Sequence, residues 1–297
     1  MDINFELYKI FYHAANSRSF SDAAQKLYIS QSAVSQAVKN LEEKIGQRLF
    51  YRKARSVKLT QEGELLFKYV EQAYNFIKTA ENKILEMQNM DFGEVRIGAS
   101  DTVCKYLLIP HLEKFIKQYP AIKIRVINRT SPQLIDILKN GMIDFAIVTL
   151  PVHDKKILVK DFAVVEDIFV ASGRFSRLKG IKIKLNELSK QPLLMLQKDS
   201  ATRRNFDLFL QQKGISVVPE IELENIDLLV EFARIGLGIA HVLKESALPA
   251  IESGELFKVE TQEKLPVRKL GIITMKNVPL SRAADKFIQA LLQDRPD

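Results

Sequence analysis

The sequence predicts an α/β protein that begins with a separate all-α module. Three observations support this fold class. Residues 17–60 contain two short helical patterns joined by a tight turn and followed by a basic hairpin. Residues 61–90 repeat apolar side chains with the period of one long helix. Residues 91–297 alternate strand-like and helix-like patterns, which is typical of an α/β sheet. A chain of 297 residues is long enough for two or three domains.

The first helix is predicted over residues 4–16. Phe5, Tyr8, Phe11 and Tyr12 fall on one side of it. Aromatic side chains at this spacing are typical of a helix that contributes to a core. We therefore expect these residues to support the helices that follow, rather than to contact nucleic-acid bases.

Two shorter helices follow. Ser21 is the candidate N-cap of the first and Ser30 of the second, because a serine oxygen satisfies the free N–H groups of a first helical turn. The second of these helices places four apolar residues, spaced four, three and four apart, on one stripe that faces a core: Val34, Val38, Leu41 and Ile45.

The opposite face of that second helix carries no acid. Its side chains are small or form hydrogen bonds: Gln31, Ser32, Ser35, Gln36 and Lys39. Such a face, after a short helix and a tight turn, is typical of a helix-turn-helix that enters the DNA major groove. Amide and hydroxyl groups both donate and accept hydrogen bonds, so all of these residues except Lys39 are candidates for reading base edges.

A basic hairpin follows this helix and predicts a wing. Two short extended segments flank a tip that carries Arg52, Lys53 and Arg55. Residues 18–60 hold nine Lys or Arg against three acids, which gives this module a net charge of +6. Positive side chains at a hairpin tip are suited to phosphate or minor-groove contacts, so the three tip residues and Lys39 are the candidates for them.

A long helix is predicted over residues 61–90, with Thr60 as its cap. Its apolar residues alternate spacings of four and three, the period of about 3.5 that a coiled-coil seam requires. The seam residues are Leu66, Val70, Ala73, Ile77, Ala80, Ile84 and Met87. We expect this seam to pair two copies of the chain. Leu65, Tyr69 and Phe76 widen the apolar face, so packing of the helix on its own N-terminal module stays open.

The remaining chain divides into two α/β lobes. The first comprises residues 91–163 together with 267–297, and the second comprises residues 164–266. Strand–helix alternation predicts parallel strand pairing. Two lobes joined by crossing segments, near residues 161–164 and 265–268, predict a cleft between them.

Hydroxyl side chains stand where predicted strands end or helices begin: Ser100, Thr102, Thr130, Ser131, Thr149, Ser200 and Thr202. Ligands of open α/β sheets bind at the carboxyl ends of strands, and helix N-termini present free N–H groups to anions. Each hydroxyl is equally suited to be an ordinary helix cap. A cleft of hydroxyls and backbone amides without a required acid indicates a small anion, such as a carboxylate or an inorganic oxyanion, and a neutral or cationic ligand stays open as the alternative. Arg129 and Arg203 are expected to be solvated surface residues, as arginines usually are, with added charge in the cleft as the alternative.

No catalytic, metal or cofactor site emerges from the sequence. Cys104 is the only cysteine, which excludes an internal disulfide, and we expect it to be a buried structural residue without a redox role. The four histidines show no metal-ligand spacing. No apolar run approaches the roughly 20 residues of a membrane span, and the N-terminus lacks a secretory pattern. These features predict a cytoplasmic protein with no membrane partner.

Several segments resemble the LysR-type transcriptional regulators. In the N-terminal module they are residues 20–27 (FSDAAQKL), 30–36 (SQSAVSQ), 41–46 (LEEKIG), 49–50 (LF) and 59–63 (LTQEG); later they are residues 141–147 (GMIDFAI) and 236–240 (GLGIA). The resemblance covers essentially the whole chain. It implies a winged helix-turn-helix, a linker-helix dimer and a two-lobed effector domain like a periplasmic binding protein. One departure is Ser32, where the family commonly has proline at the start of the helix.

Together the residues and the resemblance predict a sequence-specific DNA-binding regulator, controlled by a small anionic effector that contacts the seven hydroxyl residues between the lobes. The implied partners are double-stranded promoter DNA and further copies of the chain, in a homotetramer built as a dimer of dimers. Two alternatives remain open from the residues alone. One is a solute-binding protein that uses the same cleft, and the other is an α/β enzyme with an accessory DNA-binding domain.

Overall fold

The computed structural model describes residues 2–51, 57–88 and 93–294. The chain divides into two compact units. One comprises Met1–Leu85 with Lys139–Met142, and the other comprises Glu86–Leu138 with Ile143–Asp297. Within the described ranges, no helix is both long enough and apolar enough to cross a membrane.

The first unit is built from four helices. They are α1 (Phe5–Ala15), α2 (Phe20–Leu27), α3 (Gln31–Ile45) and α4 (Gln61–Gln88). Ser30 caps α3 as predicted, because its Oγ accepts the N–H of Ala33 at 3.2 Å. The predicted cap of α2 is wrong: Ser21 lies inside the helix, and Ser19 Oγ accepts the N–H of Asp22 at 3.1 Å.

The aromatic residues of α1 contribute to the core of this unit, with one exception. Phe11 is fully buried and meets Phe50 edge-on at 5.5 Å between ring centroids. Tyr12 stacks on Tyr74 of α4 at 4.3 Å, and Tyr8 is partly buried against the same core. Phe5, the first residue of α1, is 50% exposed.

The long helix α4 uses part of the predicted seam inside its own unit. Its start is confirmed at Thr60, whose Oγ1 accepts the N–H of Gly63 at 3.0 Å. Val70 is buried and Leu66 partly buried in the core formed with α1–α3, so neither is free to pair with a second copy. Leu65 and Tyr69, expected on the packed side, are more than half exposed instead.

The second unit is a ten-stranded mixed sheet flanked by helices. Its strands are β1 (Gly93–Ala99), β2 (Ile122–Asn128), β3 (Phe145–Thr149), β4 (Ile157–Ser172), β5 (Lys182–Ile183), β6 (Leu193–Leu196), β7 (Ile221–Leu223), β8 (Ile239–Leu243), β9 (Leu256–Thr261) and β10 (Val267–Met275). The main strand order is β2-β1-β3-β10-β4-β8-β6-β7, and β9 pairs with β4 and β5.

The helices of this unit lie between the strands. After β1 come α5 (Asp101–Val103), a π-helical turn (Cys104–Leu108) and α6 (Ile109–Gln118) without a break; the others are α7 (Ser131–Lys139), a 3-10 helix (Gly173–Leu178), α8 (Leu185–Leu188), α9 (Ala201–Gln212), α10 (Ile226–Arg234), α11 (Lys244–Glu252) and α12 (Arg282–Gln293). Two of the elements between residues 164 and 266, α11 and β9, were not predicted from the sequence patterns.

Two lobes share the long strand β4. Its first part pairs with β10 up to Glu166, and its second part pairs with β8 from Asp167 onward. We call β1–β3, β10 and the first part of β4 lobe I, and the rest of the sheet lobe II. The expectation of parallel pairing holds for β1 with β2 and β3, and for β6 with β7 and β8. The alternation predicted no partner for the returning strand β10, which runs antiparallel to β4.

Candidate nucleic-acid interface and ligand cavity

The polar face of α3 is open to solvent. Five candidates for DNA contact on this helix are exposed: Gln31, Ser32, Ser35, Gln36 and Lys39. The opposite stripe of α3 is buried against α1 and α2, with Val34 and Leu41 fully enclosed. Burial on one side therefore fixes the orientation of the helix and directs the amide and hydroxyl groups outward.

Contacts on this face are local and solvent-exposed. Gln36 Nε2 donates to Asn40 Oδ1 at 2.7 Å, and Ser32 Oγ lies 2.9 Å from Ser30 Oγ. Lys39 Nζ lies 3.5 Å from a carboxylate oxygen of Glu43. Exposed pairs of this kind contribute about 1 kcal/mol or less, so a DNA base or phosphate can replace them at small cost.

The turn before α3 adds a residue that sequence patterns did not single out. Tyr28 ends α2 in the left-handed conformation with φ of 57° and is 96% exposed. Its backbone conformation carries the chain from α2 to α3, and its ring packs on no core. The only signal in the sequence was an aromatic residue at a predicted tight turn.

The hairpin behind α3 is anchored to that helix. Glu42 Oε1 accepts the N–H groups of Leu49 and Phe50, at 2.8 and 3.1 Å. Phe50 then forms an antiparallel bridge with Leu59, which closes the base of the predicted wing. The three candidates at its tip, Arg52, Lys53 and Arg55, lie outside the described residues, as does the side chain of Met87 in the predicted seam.

A cavity of about 490 Å³ opens in the second unit and is lined from both lobes. The structure brings together all seven hydroxyl residues that the sequence singled out: Ser100, Thr102, Thr130, Ser131, Thr149, Ser200 and Thr202. Lobe I supplies the first five from the ends of β1, β2 and β3, and lobe II supplies the other two from the start of α9.

Four helical segments begin at this cavity. Ser100 precedes the helical run 101–118, and Ser131 is the first residue of α7. Ser200 caps α9 by accepting the N–H of Arg203 at 3.0 Å. Asn225, which sequence reasoning missed, caps α10 by accepting the N–H groups of Asp227 and Leu228. Helix N-termini carry partial positive charge, so their convergence favours an anionic ligand.

The two arginines considered from the sequence have different positions. Arg129 lines the cavity and is exposed. Arg203 is not among the lining residues, and at 2% exposure it is not the solvated surface residue that arginine usually is. Its buried guanidinium donates to carboxylates of Asp207 and Glu222 and to the carbonyl of Leu196, which hold it against β6 and β7.

Another arginine reaches the cavity. Arg268, at the start of β10, lines it and is only 5% exposed. Its Nε and Nη2 donate to the two carboxylate oxygens of Asp167, at 2.5 and 2.7 Å. This pair could not be predicted, because an arginine in an ordinary strand pattern does not reveal which acid, 101 residues away in the chain, lies beside it.

Three acids also line the cavity, and all are exposed: Asp101, Asp199 and Glu224. Asp101 accepts hydrogen bonds at 3.3 Å from Asn128 of lobe I and from Asn225 of lobe II. Its carboxylate therefore joins the two lobes at the edge of the cavity.

A second contact between the lobes involves Asp227 of α10. Lys105 Nζ lies 2.7 Å from its Oδ2, and the hydroxyl of Tyr106 donates to its Oδ1. Burial acts to raise the pKa of Asp227, but the hydrogen bonds from Lys105 and Tyr106 outweigh it and lower that pKa. Burial and the bond to Asp227 raise the pKa of Tyr106 to about 12, so the tyrosine stays a donor.

Cys104 is only partly buried, whereas the sequence predicted a buried cysteine. Burial and the nearby charge of Asp101 raise the pKa of Cys104 to about 11, which disfavours the reactive thiolate. The thiol lies 3.7 Å from the carbonyl oxygen of Ala99. Across residues 2–51, 57–88 and 93–294, no group of three or more His, Cys, Asp or Glu is arranged to hold a metal ion.

The fold and the two sites define a class of protein: a DNA-binding module of the winged helix-turn-helix type, joined in one chain to a two-lobed ligand-binding domain. Residues 5–64 match the family model described as "Bacterial regulatory helix-turn-helix protein, lysR family", and residues 88–296 match the "LysR substrate binding domain". The chain belongs to the LysR family. It is a DNA-binding transcriptional regulator with an effector-binding domain.

Similar proteins of known description agree with this assignment. The chain is 30% identical to a probable RuBisCO transcriptional regulator from Cyanidioschyzon merolae, over 96% of each protein. It is 28% identical to the HTH-type transcriptional activator CmpR from a Synechocystis strain, over 96% of this chain and 93% of CmpR. These relatives are transcriptional regulators and not enzymes, which argues against both alternatives that the residues alone left open.

Solved structures show the same fold over the full length. Full-length OxyR from Pseudomonas aeruginosa, determined as a point variant, superposes with a TM-score of 0.74 at 19% identity and covers 98% of this chain and 95% of its own. CbnR in complex with its target DNA superposes with a TM-score of 0.70 at 17% identity, covering 98% and 99%. At these identities the likeness shows the fold alone.

Proposed function

We propose that this protein binds promoter DNA through α3 and the wing and that a small anionic effector in the cavity of the second unit controls that binding. The observation that carries the effector proposal is the convergence of four helix starts and seven hydroxyl side chains on one cavity of about 490 Å³. Backbone N–H groups and hydroxyls supply hydrogen-bond donors, and the helix ends supply positive potential.

In the DNA-binding module, the roles divide by chemistry. Gln31, Ser32, Ser35 and Gln36 read base edges in the major groove, because they combine donors and acceptors on one exposed helix face. Lys39 of α3 contacts phosphate, as do the tip residues Arg52, Lys53 and Arg55. The direct test is a gel shift on the DNA upstream of the protein's own gene, compared with a scrambled fragment at low salt. Equal affinity for both fragments contradicts sequence-specific binding.

For the effector domain, the test is calorimetry with the full-length chain. The titrants are matched pairs of small carboxylates or phosphates and their neutral analogues. Binding of the charged member of a pair, with the neutral member much weaker, supports an anionic effector. Binding confined to neutral compounds contradicts it.

Effector binding acts on DNA through closure of the lobes. A ligand held by Ser100 or Thr130 on one side and Ser200 or Thr202 on the other stabilises whichever lobe arrangement lets both sets reach it. A change in lobe arrangement alters how paired effector domains pack and so changes the spacing of the DNA-binding modules they carry. Gel shifts on the promoter, with and without a bound titrant, report this coupling.

The proposed assembly is a dimer through α4, and a homotetramer as a dimer of such dimers. Beyond the part of α4 that packs on its own module, the described residues of the predicted seam are exposed: Ala73, Ile77, Ala80 and Ile84. They continue the predicted seam at spacings of four, three and four, which suits pairing with a second copy. A regulator that acts on chromosomal DNA works in the cytoplasm, and we propose that location here.

A further inference from the structure

We infer that Arg268 provides the charged contact for the anionic group of the effector and that Asp167 is its positioning residue. The inference deepens the proposed function and rests on it, because it concerns the same cavity. It adds a buried arginine that neither the strand-end hydroxyls nor the helix starts point to.

Within the protein, the guanidinium of Arg268 donates hydrogen bonds along only one of its edges. A guanidinium has five N–H donors in a rigid planar fork, which can engage two anions on two different edges. Asp167 occupies the edge formed by Nε and Nη2. The hydrogen bonds of the Arg268 side chain to described residues use only Nε and Nη2, so the edge that includes Nη1 is left over, and Arg268 is one of the residues that line the cavity.

Burial makes this free edge a stronger anion contact than Arg129. Arg129 is exposed, and its Nη1 donates to the carbonyl of Asn128 at 2.7 Å, so water screens its charge and one donor is already engaged. Arg268 is 5% exposed, and charge-assisted hydrogen bonds strengthen where water is excluded. Among the described residues these two are the only lysines or arginines that line the cavity.

Asp167 fixes the plane of the guanidinium. Both of its carboxylate oxygens accept from Arg268, and the aspartate is itself buried. A bidentate pair leaves the fork no freedom to rotate, so the remaining edge keeps one direction. An arginine whose rotamer is already fixed loses little conformational entropy when a ligand binds.

The acids that line the cavity indicate which chemical groups the ligand carries at the end away from Arg268. Asp101, Asp199 and Glu224 are exposed, and so lie nearer to solvent than Arg268. Carboxylates repel an anion but accept hydrogen bonds from hydroxyl or ammonium groups. The effector class that fits both ends is a small organic anion whose charged group faces Arg268 and whose other end donates hydrogen bonds.

The position of Arg268 also links ligand binding to the crossing strands. Arg268 pairs with Val165 of β4, just before Asp167, where β4 leaves β10 and begins to pair with β8. A ligand on the free edge of Arg268 therefore contacts the point where the chain passes between the lobes.

The test is calorimetry of the full-length chain with D-glycerate and its neutral amide, glyceramide, which differ in charge but not in size. We expect wild type to bind glycerate about ten- to a hundredfold more tightly, the range expected for hydrogen bonds to a charged group. The double substitution Arg268→Gln with Asp167→Asn keeps a neutral hydrogen-bonding pair and is expected to abolish this preference. A preference that persists in the double variant overturns the inference.

Two further variants control for folding. Arg203→Lys alters an equally buried, ion-paired arginine outside the cavity, and it is expected to leave the preference for glycerate unchanged. Arg268→Lys retains a cation without the planar second edge, so it is expected to reduce the preference while the chain stays folded. An unchanged preference in Arg268→Lys overturns the inference, even if the double variant proves too unstable to measure.

The outcomes separate this inference from the proposed function. The preference for glycerate can persist in the Arg268 variants but be lost in Thr102→Val or Ser200→Ala. That result places the anion at the helix starts, so it overturns the inference and supports the proposed function. Absence of binding by either three-carbon compound overturns the proposed effector class. The broader calorimetric panel of carboxylates and phosphates then decides the proposed function separately.

Discussion

Asp227 of lobe II receives two hydrogen bonds from adjacent residues of lobe I, Lys105 and Tyr106. Both donors lie on the π-helical turn Cys104–Leu108. Such a turn is wider than an α-helical one, and π-helical turns are frequent at functional sites. The wider turn lets two consecutive side chains reach one carboxylate. Asp227 in turn lies in the first turn of α10, where the helix dipole favours a negative charge.

We expect Asp227→Asn to weaken the contact between the two lobes at Lys105 and Tyr106. The substitution removes the ion pair with Lys105 and replaces a charged acceptor of the Tyr106 hydroxyl with a neutral one. The loss is about 1 kcal/mol, since Asp227 and Lys105 are partly exposed. Hydrogen exchange of the full-length protein is the measurement, with faster exchange expected for backbone amides at the cavity edge.

Glu113→Gln is the matched control for Asp227→Asn. It removes an exposed ion pair with Lys117 within α6, which makes no contact between the lobes. Its exchange pattern at the cavity is expected to match wild type. If Asp227→Asn also matches wild type there, the contact does not hold the lobes together.

Gln36→Ala is expected to relax the sequence preference of DNA binding. A glutamine that pairs with adenine discriminates against other bases by about 1–3 kcal/mol, whereas a phosphate contact does not discriminate. Fluorescence anisotropy on cognate and scrambled duplexes is the measurement. We expect Gln36→Ala to lose affinity mainly for the cognate duplex.

Arg52→Ala is the companion variant for Gln36→Ala. Removal of a phosphate contact weakens both duplexes alike and lowers the dependence of binding on salt by about one charge. Equal losses on both duplexes for Gln36→Ala would remove that residue from the base-reading set. A loss confined to the cognate duplex for Arg52→Ala would argue against its phosphate role.

The sequence predicted those helix ends and strand ends that are determined by residues close together in the chain. The helix α3 has its cap at Ser30 and ends at Gly46, which adopts a left-handed φ of 78°, so both ends could be read from the sequence. The seven cavity hydroxyls were predictable for the same reason, because each one lies at or just after the end of a strand or in the first turn of a helix. The cap of α2 was misplaced because Ser19 and Ser21 are two residues apart and both suit the position.

Elements with distant causes could not be predicted. The strand β4 runs for 16 residues because β10, β8 and β9 pair along its length, and those partners lie far away in sequence. Helix α11 contains Pro249, which ordinarily argues against a helix. The pairing of Arg268 with Asp167 likewise depends on where the lobes cross, and no local pattern encodes it.

Ile77→Lys is expected to disrupt pairing of two chains without unfolding the first unit. Ile77 is exposed on α4, so a lysine there is solvated in the single chain but places a charge in the proposed seam. Light scattering coupled to size-exclusion chromatography is the measurement, with a shift toward smaller species expected. Lys68→Glu, at another exposed position of α4, is the control and is expected to leave the mass unchanged.

Val70→Ala is expected to lower the stability of the first unit without changing how chains pair. Val70 is buried in the core of its own unit, so loss of its methyl groups is expected to cost about 1–2 kcal/mol of unfolding free energy. The mass of the assembly should stay unchanged. If Val70→Ala splits the assembly while Ile77→Lys does not, the seam lies on the other side of α4.

His241 predicts how stability depends on pH. It is buried in β8, stacks on Phe206 at 4.1 Å between ring centroids and lies close to Phe169. Burial is the main cause that lowers the pKa of His241 from 6.5 to about 4. The positive charges of Arg268 and Arg203 lower this pKa further, whereas the negative charges of Asp167 and Asp207 raise it. The neutral imidazole is therefore the form that the folded protein accommodates.

A histidine with a depressed pKa in the folded state makes the protein less stable as pH falls. Below about pH 6.5 the unfolded chain takes up a proton that the folded chain excludes until about pH 4, so this residue's contribution declines by about 3 kcal/mol across that window. Urea unfolding at pH 7 and pH 5 measures the effect. In His241→Leu the difference between the two pH values should shrink, because an apolar side chain binds no proton in either state. An equal pH difference in both proteins would mean that His241 is protonated in the folded state, which its aromatic, buried surroundings make costly.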